Sequence, residues 1–412
     1  MTNEISDQKC KNRFYVQNFI GRKGQRFSLL FDRASGAFPL IYPCAYTTQV
    51  ISSLAANTQM GHLYAIKKLL EWEAAEGISI EYQLASNEGF TPNQINRMVE
   101  KFERSTVIDG AIINNKSFNT LLDVNSSYLI FLHSKVTTNP NSRKNKQFIS
   151  ELKASIVSRK KKVGSRAGYE QKVIEKKLSE PAREALLEKF LKPLSEATTP
   201  FQQGVAFRNT LCFRTLYDCG IRVGELLSLK LKNFKPATGG DHAYLEIERN
   251  QDDEYDNRVN QPVVKTEGRT IAITPELEQA FLEYIGKWRA DIENVSFDDN
   301  SFIFVIHKNC QGQGHGIKIT SFRSTLTEII MTDKRLLGLH PHLLRHDWNY
   351  RFSQECKRLN KPPENEREER EYLMGWVPGS GMAKIYDRRF IQEEANKLAL
   401  AISSNTSKHK KS

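Results

Sequence analysis

The 412-residue chain contains no CxxC pair. Its six cysteines, Cys10, Cys44, Cys212, Cys219, Cys310 and Cys356, are scattered, so neither a disulfide framework nor a zinc ribbon is indicated and most read as buried thiols. No run of eighteen apolar residues occurs, and none is available to cross a membrane as a helix. The N-terminal MTNEISDQKCKNR lacks the apolar core of a signal peptide, which predicts a soluble, cytoplasmic protein. A strongly amphipathic basic helix is also missing, which disfavours a membrane-surface role. Metal spacing fails twice. His342 and His346 stand four apart as in HExxH, but Leu343 occupies the position where that chemistry needs glutamate. His307, Cys310 and His315 share the loop HKNCQGQGHG with no fourth ligand nearby. The expectation is no metal and no cofactor.

What the chain does have is positive charge and enough apolar content for real cores. Lys and Arg outnumber Asp and Glu by 60 to 48, a net charge of +12, and the pI is near 9.2. That balance favours a polyanionic partner, with nucleic acid ahead of an anionic membrane. Hydrophobic residues make up 39% and aromatics 10%, which excludes a disordered chain, and the length suits two or three domains.

Residues 13 to 44 alternate short apolar runs with turns, predicting two or three short strands or an extended arm of unassigned role. From Thr58, Leu63, Ile66, Leu69, Leu70 and Ala74 mark one face of a helix stopping near Gly77, and helical stretches follow at 92 to 104 and 142 to 157. Residues 45 to 157 therefore read as an α-helical domain. The stretch SRKKKVGSRAGYEQK carries Arg159, Lys160, Lys161, Lys162 and Arg166 among glycines. It reads as a basic linker over 158 to 174, either merely solvated or a hinge for gripping DNA. Beyond it helices are predicted at 181 to 192, 202 to 219 and 275 to 291, strands at AYLEIE, QPVVK, RTIAIT and FIFVI, then helices to residue 402 and a polar basic tail over 403 to 412.

Four stretches carry candidate chemistry. After Gly220, Arg222 sits at a turn with Glu225 three residues on to orient it, and an arginine so held can grip phosphate in bidentate fashion. Alone, an exposed ion pair explains that spacing as well. In HPHLLRHDWNYRF, Pro341 starts a helix whose Leu344, Trp348 and Phe352 recur on one face, while His342, Arg345 and His346 crowd its N-terminal end, where the helix dipole favours an anion. In YLMGWVPGSGMAKIYDRRF, Trp376 follows a glycine, and Tyr386 lies among Lys384, Arg388 and Arg389, cations that favour phenolate character. A lysine, Lys265, falls in the strand turn VVKTEGRTIAI.

The order of these elements resembles the tyrosine recombinase, or phage integrase, family. The resemblance covers roughly residues 175 to 400 by motif, and residues 45 to 157 look like that family's core-binding domain. It implies a multidomain α+β protein: an α-helical core-binding domain, then a mostly α-helical catalytic domain over 175 to 402 with a small antiparallel β-sheet. Residue by residue, it implies that Arg222 and Arg345 clamp the scissile phosphate, that His342 and Trp376 hydrogen-bond to it, and that Tyr386 is the nucleophile. Lys265 would be the general acid, Arg269 an accompanying basic residue at the DNA, and Glu225 and His346 supporting residues. Arg159, Lys160, Lys161, Lys162 and Arg166 complete the expected DNA contacts.

The implied reaction needs no metal. Tyr386 attacks phosphorus to give a 3′-phosphotyrosine, an acid protonates the leaving 5′ oxygen, and a 5′ hydroxyl from another strand religates. The implied partners are double-stranded recombination sites, further copies of the chain in a synaptic tetramer, and accessory DNA-bending or directionality proteins, in a nucleoid-associated setting and for a mobile element. A DNA-relaxing enzyme of the same chemistry and a non-catalytic DNA-binding accessory protein are the alternatives. The chain departs from the pattern in its long charged segment KRLNKPPENEREERE and in residues 1 to 44.

Overall fold

A computed structural model describes residues 13 to 408 except Val107, Asp109, Arg166, Ala167, Tyr169, Glu170, Val173 and Glu196. Arg166, one of the expected DNA contacts, thus lies outside the described residues. The chain divides into two compact units, Met1–Gly164 and Ser165–Ser412. Both are mainly helical, and each carries one small antiparallel sheet.

In the first unit, β1 (Phe14–Ile20) and β2 (Arg26–Asp32) form a hairpin in which Phe14 faces Asp32 and Ile20 faces Arg26. The strand period of two puts Phe14 and Leu30 on the face that joins the helical core. Of the two readings offered for residues 13 to 44, short strands and an extended arm, the strands are what forms, and the hairpin packs on the helix Ala56–Glu76. Six helices follow: α1 (Ile41–Gln49), α2 (Ala56–Glu76), α3 (Ile80–Ala85), α4 (Pro92–Glu103), α5 (Asn115–Val136) and α6 (Arg143–Val157). Local chemistry sets their ends. Thr91 and Gln94 form a capping box around Pro92, and the buried Lys68 Nζ donates to the Phe102 carbonyl at 3.0 Å, where α4 ends with unpaired acceptors. Leu63, Ile66, Leu69, Trp72, Met98, Phe102, Leu122 and Leu129 fill the core.

The basic stretch also differs from a free linker. Lys160 pairs with Asp123 at 2.6 Å and Lys161 with Glu103 at 2.8 Å. Asn119 and Asn115 donate to the backbone carbonyls of Lys161 and Lys162. Residues 160 to 162 are stitched onto α5; Arg159 and Lys162 are exposed and, unlike the exposed Lys160, stand outside an ion pair.

The second unit runs α7 (Glu180–Leu191), α8 (Pro200–Cys219), α9 (Val223–Leu226), the sheet β3 (Phe234–Lys235), β4 (Tyr244–Ile247) and β5 (Arg269–Ala272), then α10 (Pro275–Glu283), α11 (Ile319–Thr332), α12 (Pro341–Arg358), α13 (Pro363–Met374) and α14 (Met382–Lys408). Its sheet order is β3-β4-β5. Two predicted strands are absent from it. QPVVK belongs to the long loop between β4 and β5, its backbone held by Ser228 Oγ on the Pro262 carbonyl and by Asn250 on the Val264 amide. FIFVI is buried but makes only isolated bridges, Lys230 with Phe302 and Val305 with Gly316, because its neighbours on either side are turns and not strands. The predicted polar tail is also partly helical, since α14 continues to Lys408. Among the described residues no helix is long and apolar enough to cross a membrane.

Candidate active site

Gly220 ends α8 with φ +63, and a Cβ there would meet the Trp348 ring at 2.7 Å, so both backbone and space demand glycine. The turn it allows delivers Arg222 to the start of α9. There Arg222 N donates to Glu225 Oε2 at 3.0 Å and its guanidinium meets Glu225 Oε1 at 3.3 Å. Arg222 keeps about a third of its side chain exposed, at 34%, whereas Glu225 is fully covered at 0%.

Glu225 is the electrostatic hub. Arg269 reaches it at 2.8 Å and Thr266 Oγ1 donates to it at 2.6 Å. Burial alone would raise its pKa, but Arg269 and then Arg345 hold it down at about 2. Arg269 also donates to the Leu373 carbonyl at 2.6 Å and is itself buried, with 1% of its side chain exposed. This corrects the expectation that Arg269 touches DNA: its donors are engaged inside the protein. Gly375, with φ +62, is the counterpart, because a Cβ there would strike Arg269 Nη1 at 2.7 Å and Thr266 Cβ at 2.8 Å.

Helix α12 starts at His340, whose Nδ1 accepts the Leu343 amide at 3.1 Å. One turn on, Arg345 is buried. Its Nη1 donates to the Gly220 carbonyl at 2.7 Å and its Nη2 to the Met374 carbonyl at 2.9 Å, while its Nε is buried without a partner. The guanidinium lies 5.5 Å from the Trp376 ring centroid. Burial, then the charge of Arg222, lowers its pKa to about 10, so it stays cationic at neutral pH.

Tyr386, in the first turns of α14, closes the group. It is 7% exposed. Its ring stacks on His346 at 4.5 Å and tilts against Trp376 at 5.0 Å, and its hydroxyl lies 3.4 Å from His342 Nε2. Burial among its neighbours, followed by the charges of Lys176 and Arg345, lowers the pKa of His342 to about 4, although the residue keeps an exposed surface. Burial, then His342 and Lys176, takes His346 to about 3. Both imidazoles are therefore neutral at pH 7. His346 Nε2 and Trp376 Nε1, like Arg345 Nε, are buried without partners. Such atoms are costly in a packed interior unless something binds them.

Arg222, Arg345, His342, His346, Trp376, Tyr386 and Glu225 thus come together from three of the four stretches. Lys265 lies one residue before Thr266 and so at the rim of the group, exposed and with neither hydrogen bond nor ion pair. Of the cations expected to activate the phenol, Arg389 turns instead to the Tyr350 ring at 3.7 Å and to Glu393. Lys176 was not anticipated. It precedes α7, and its charge depresses His340, His342 and His346 alike. Nothing in KVIEKKLSE marks it out from the lysines beside it. Among the described residues no group of three or more His, Cys, Asp or Glu converges as a metal site.

No known protein family matches the chain by sequence, and no curated protein does. Among solved structures, a XerH site-specific recombinase bound to palindromic difH substrate in a post-cleavage complex is 15% identical, with TM-score 0.44, covering 87% of this chain and 93% of that one. The XerH pre-cleavage complex with difH is also 15% identical, with TM-score 0.42, covering 86% and 92%. A likeness at this level names no activity for this chain.

Proposed function

We propose that the chain cuts and rejoins DNA through a covalent bond between Tyr386 and a backbone phosphate, as a site-specific strand-exchange enzyme of the tyrosine recombinase type. The observation that carries this reading is the surroundings of Tyr386: a neutral imidazole at its hydroxyl, and buried unpaired nitrogens on Arg345, Trp376 and His346 around its ring. A phosphodiester supplies what this group lacks, an anionic acceptor of several hydrogen bonds.

In this mechanism the remaining donors of Arg345 and the half-exposed guanidinium of Arg222 hold the non-bridging oxygens and stabilise charge on the pentacoordinate transition state. Trp376 Nε1 adds a neutral donor. His342 Nε2, uncharged at pH 7, takes the proton of the Tyr386 hydroxyl as it attacks. Oxygen bonds to phosphorus, the 5′ oxygen departs, and Lys265 at the rim gives it a proton. Glu225 acts on Arg222 and not on the substrate. Arg159 and Lys162 are proposed phosphate contacts, double-stranded recombination sites are the proposed substrate, and further copies of the chain the proposed partners.

A nicked suicide substrate tests the reading. Wild-type protein should form a covalent adduct on site DNA, and Tyr386→Phe should form none while binding the same DNA with little loss. An adduct with Tyr386→Phe would reject Tyr386. The neighbouring Tyr372 is a poor substitute, because it is 54% exposed and its hydroxyl is bonded to Thr270 at 3.0 Å. A relaxing enzyme would instead work on supercoiled plasmid without a cognate site. The exposed apolar residues of α14, Ile391, Leu398, Leu400 and Ile402, favour assembly over that solitary role.

A further inference from the structure

The charged segment KRLNKPPENEREERE folds into the end of α12 and most of α13, and it brings one arginine inward. Arg370 has 1% of its side chain exposed. Its Nη2 donates to Ser353 Oγ on α12 at 2.7 Å and to Asp387 Oδ1 on α14 at 3.3 Å, and it also pairs with Glu366 one turn earlier in α13. Ser353 Oγ in turn donates to Asp387 Oδ1 at 2.7 Å. Asp387 directly follows Tyr386.

We propose that Arg370 is a positioning residue for the nucleophile: with Ser353 it holds Asp387, and this fixes the rotation of α14 and hence the place of the Tyr386 hydroxyl. The inference rests on the strand-exchange reading for its consequence in catalysis.

Two features make this latch the controlling contact. The chain enters α14 through an exposed turn, with Gly379 at φ +74 and Gly381 at φ +73, tied by the Gly379 amide on Glu371 at 3.1 Å. Such a turn permits many entry angles. The apolar contacts of Met382, Ala383, Ile385 and Tyr386 lie in the first turns, followed by Phe390 edge-on to Tyr350 at 6.2 Å, and apolar packing without directional bonds defines a rotation loosely. Farther along, α14 meets α12 through Glu393 with Tyr350 and Glu394 with Lys357, both more exposed than Arg370. The directional contact from α14 to α12 and α13 that lies next to Tyr386 in the chain is the one at Asp387, and its guanidinium partner is covered. The same guanidinium reaches the Asn349 carbonyl at 3.3 Å, and Asn349 Nδ2 donates to the Arg345 carbonyl at 2.8 Å. One side chain thus registers the helix of the nucleophile against the turn that carries the phosphate-binding arginine. A buried ion pair is a poor source of stability but can select one arrangement over others.

The test uses the full chain with Asp387→Ala and Asp387→Asn. Asp387 keeps 24% of its side chain exposed, so neither change opens a core, and asparagine still accepts the Ser353 hydroxyl. Hydrogen exchange of amides 382 to 390 in the free protein should quicken by about tenfold in Asp387→Ala. Adduct formation on a nicked substrate at saturating protein should slow by about 100-fold, the cost of roughly 1 Å of misplacement. Half-site affinity should be unchanged, and Asp387→Asn should recover most of the rate. The deficit should persist when the leaving 5′ oxygen is replaced by sulfur, since placement of the attacking oxygen does not depend on the leaving group. Unchanged exchange, an unchanged rate, or a loss of DNA affinity parallel to the loss of rate would each overturn the latch. A wild-type protein that forms no adduct would overturn the strand-exchange reading, and the exchange measurement would then decide the latch by itself.

Discussion

Lys265 and His342 divide the proton traffic between two sides of the proposed reaction, and they do so with different surroundings. His342 keeps an exposed surface but brings Nε2 to 3.4 Å from the Tyr386 hydroxyl and is kept neutral, the state that can accept a proton. Lys265 is exposed on a loop with no counter-ion, a donor able to follow the departing oxygen. Its removal should slow cleavage by about 100 to 10,000-fold, the range for losing a general acid. A substrate with sulfur at the bridging 5′ position separates this role from simple charge stabilisation, because a thiolate leaves without a proton. Lys265→Ala should approach wild-type rates on it, while Arg222→Ala and Arg345→Ala should stay slow on both substrates. A Lys265 variant equally slow on both would pass the role to Lys176, the other cation without a partner beside the histidines. The residues of the site were legible where the covalent spacing itself determines proximity. Gly220, Arg222 and Glu225 span one turn, and their bonds follow from it. Arg269 was misread because its spacing placed it near Lys265 but could not show that Glu225 and Leu373 would enclose its guanidinium. Lys176 was not found because only tertiary folding brings it to the histidines.

Elements with strong local signals were read closely. The helix expected to stop near Gly77 is Ala56–Glu76 with Gly77 at φ +66, and Pro92 and Pro275 both start helices. The failures share a cause. QPVVK and FIFVI have strand composition, but a strand needs a partner along its length, and neither finds one. The long helix α5 was not marked out because its buried set, Phe118, Leu122, Val124, Tyr128, Leu129 and Leu132, is interrupted by the buried polar residues Asn125, Ser126 and His133. On α14, Ile391, Ala395, Leu398 and Ile402 recur at helical spacing, a pattern that by itself does not say whether the helix packs on its own domain. The structure leaves all four exposed, with contacts to α12 made by polar side chains up to Glu394. Truncation after Lys397 therefore keeps those contacts and removes Leu398, Leu400 and Ile402. It should leave half-site binding intact and abolish cooperative binding to a full site, measured by gel shift on one and two half-sites. Retained cooperativity would reject assembly through this helix.

The two compact units carry their titratable groups differently, and acid should distinguish them. In the second unit His307 and His346 are buried and neutral. Burial, then Arg208, takes His307 to about 3, and His346 lies equally low. Unfolding returns each to a pKa near 6.5, so between about pH 6.5 and 3 the unfolded form binds more protons. Stability from these groups is complete above about pH 6.5 and declines as pH falls, by about 1.4 kcal/mol per pH unit for each proton taken up. His340 and His342 shift in the same direction and add to it. The first unit has His133 and His62, both lowered by burial. Opposing them, Glu71 and Glu73 are raised by burial, as Asp218 and Glu366 are in the second unit, and carboxyls held above their unfolded pKa gain stability as pH falls toward them. Hydrogen exchange of the slowest amides, followed separately over residues 13 to 164 and 174 to 404 at pH 7.0 and at pH 5.5, should show the second unit losing more of its opening free energy than the first. The histidines responsible for this loss are His340, His342 and His346 near Tyr386 and, apart from them, His307. An equal loss in the two units would mean that these imidazoles titrate folded as they do unfolded, and that the packing around Tyr386 is not what keeps His342 neutral.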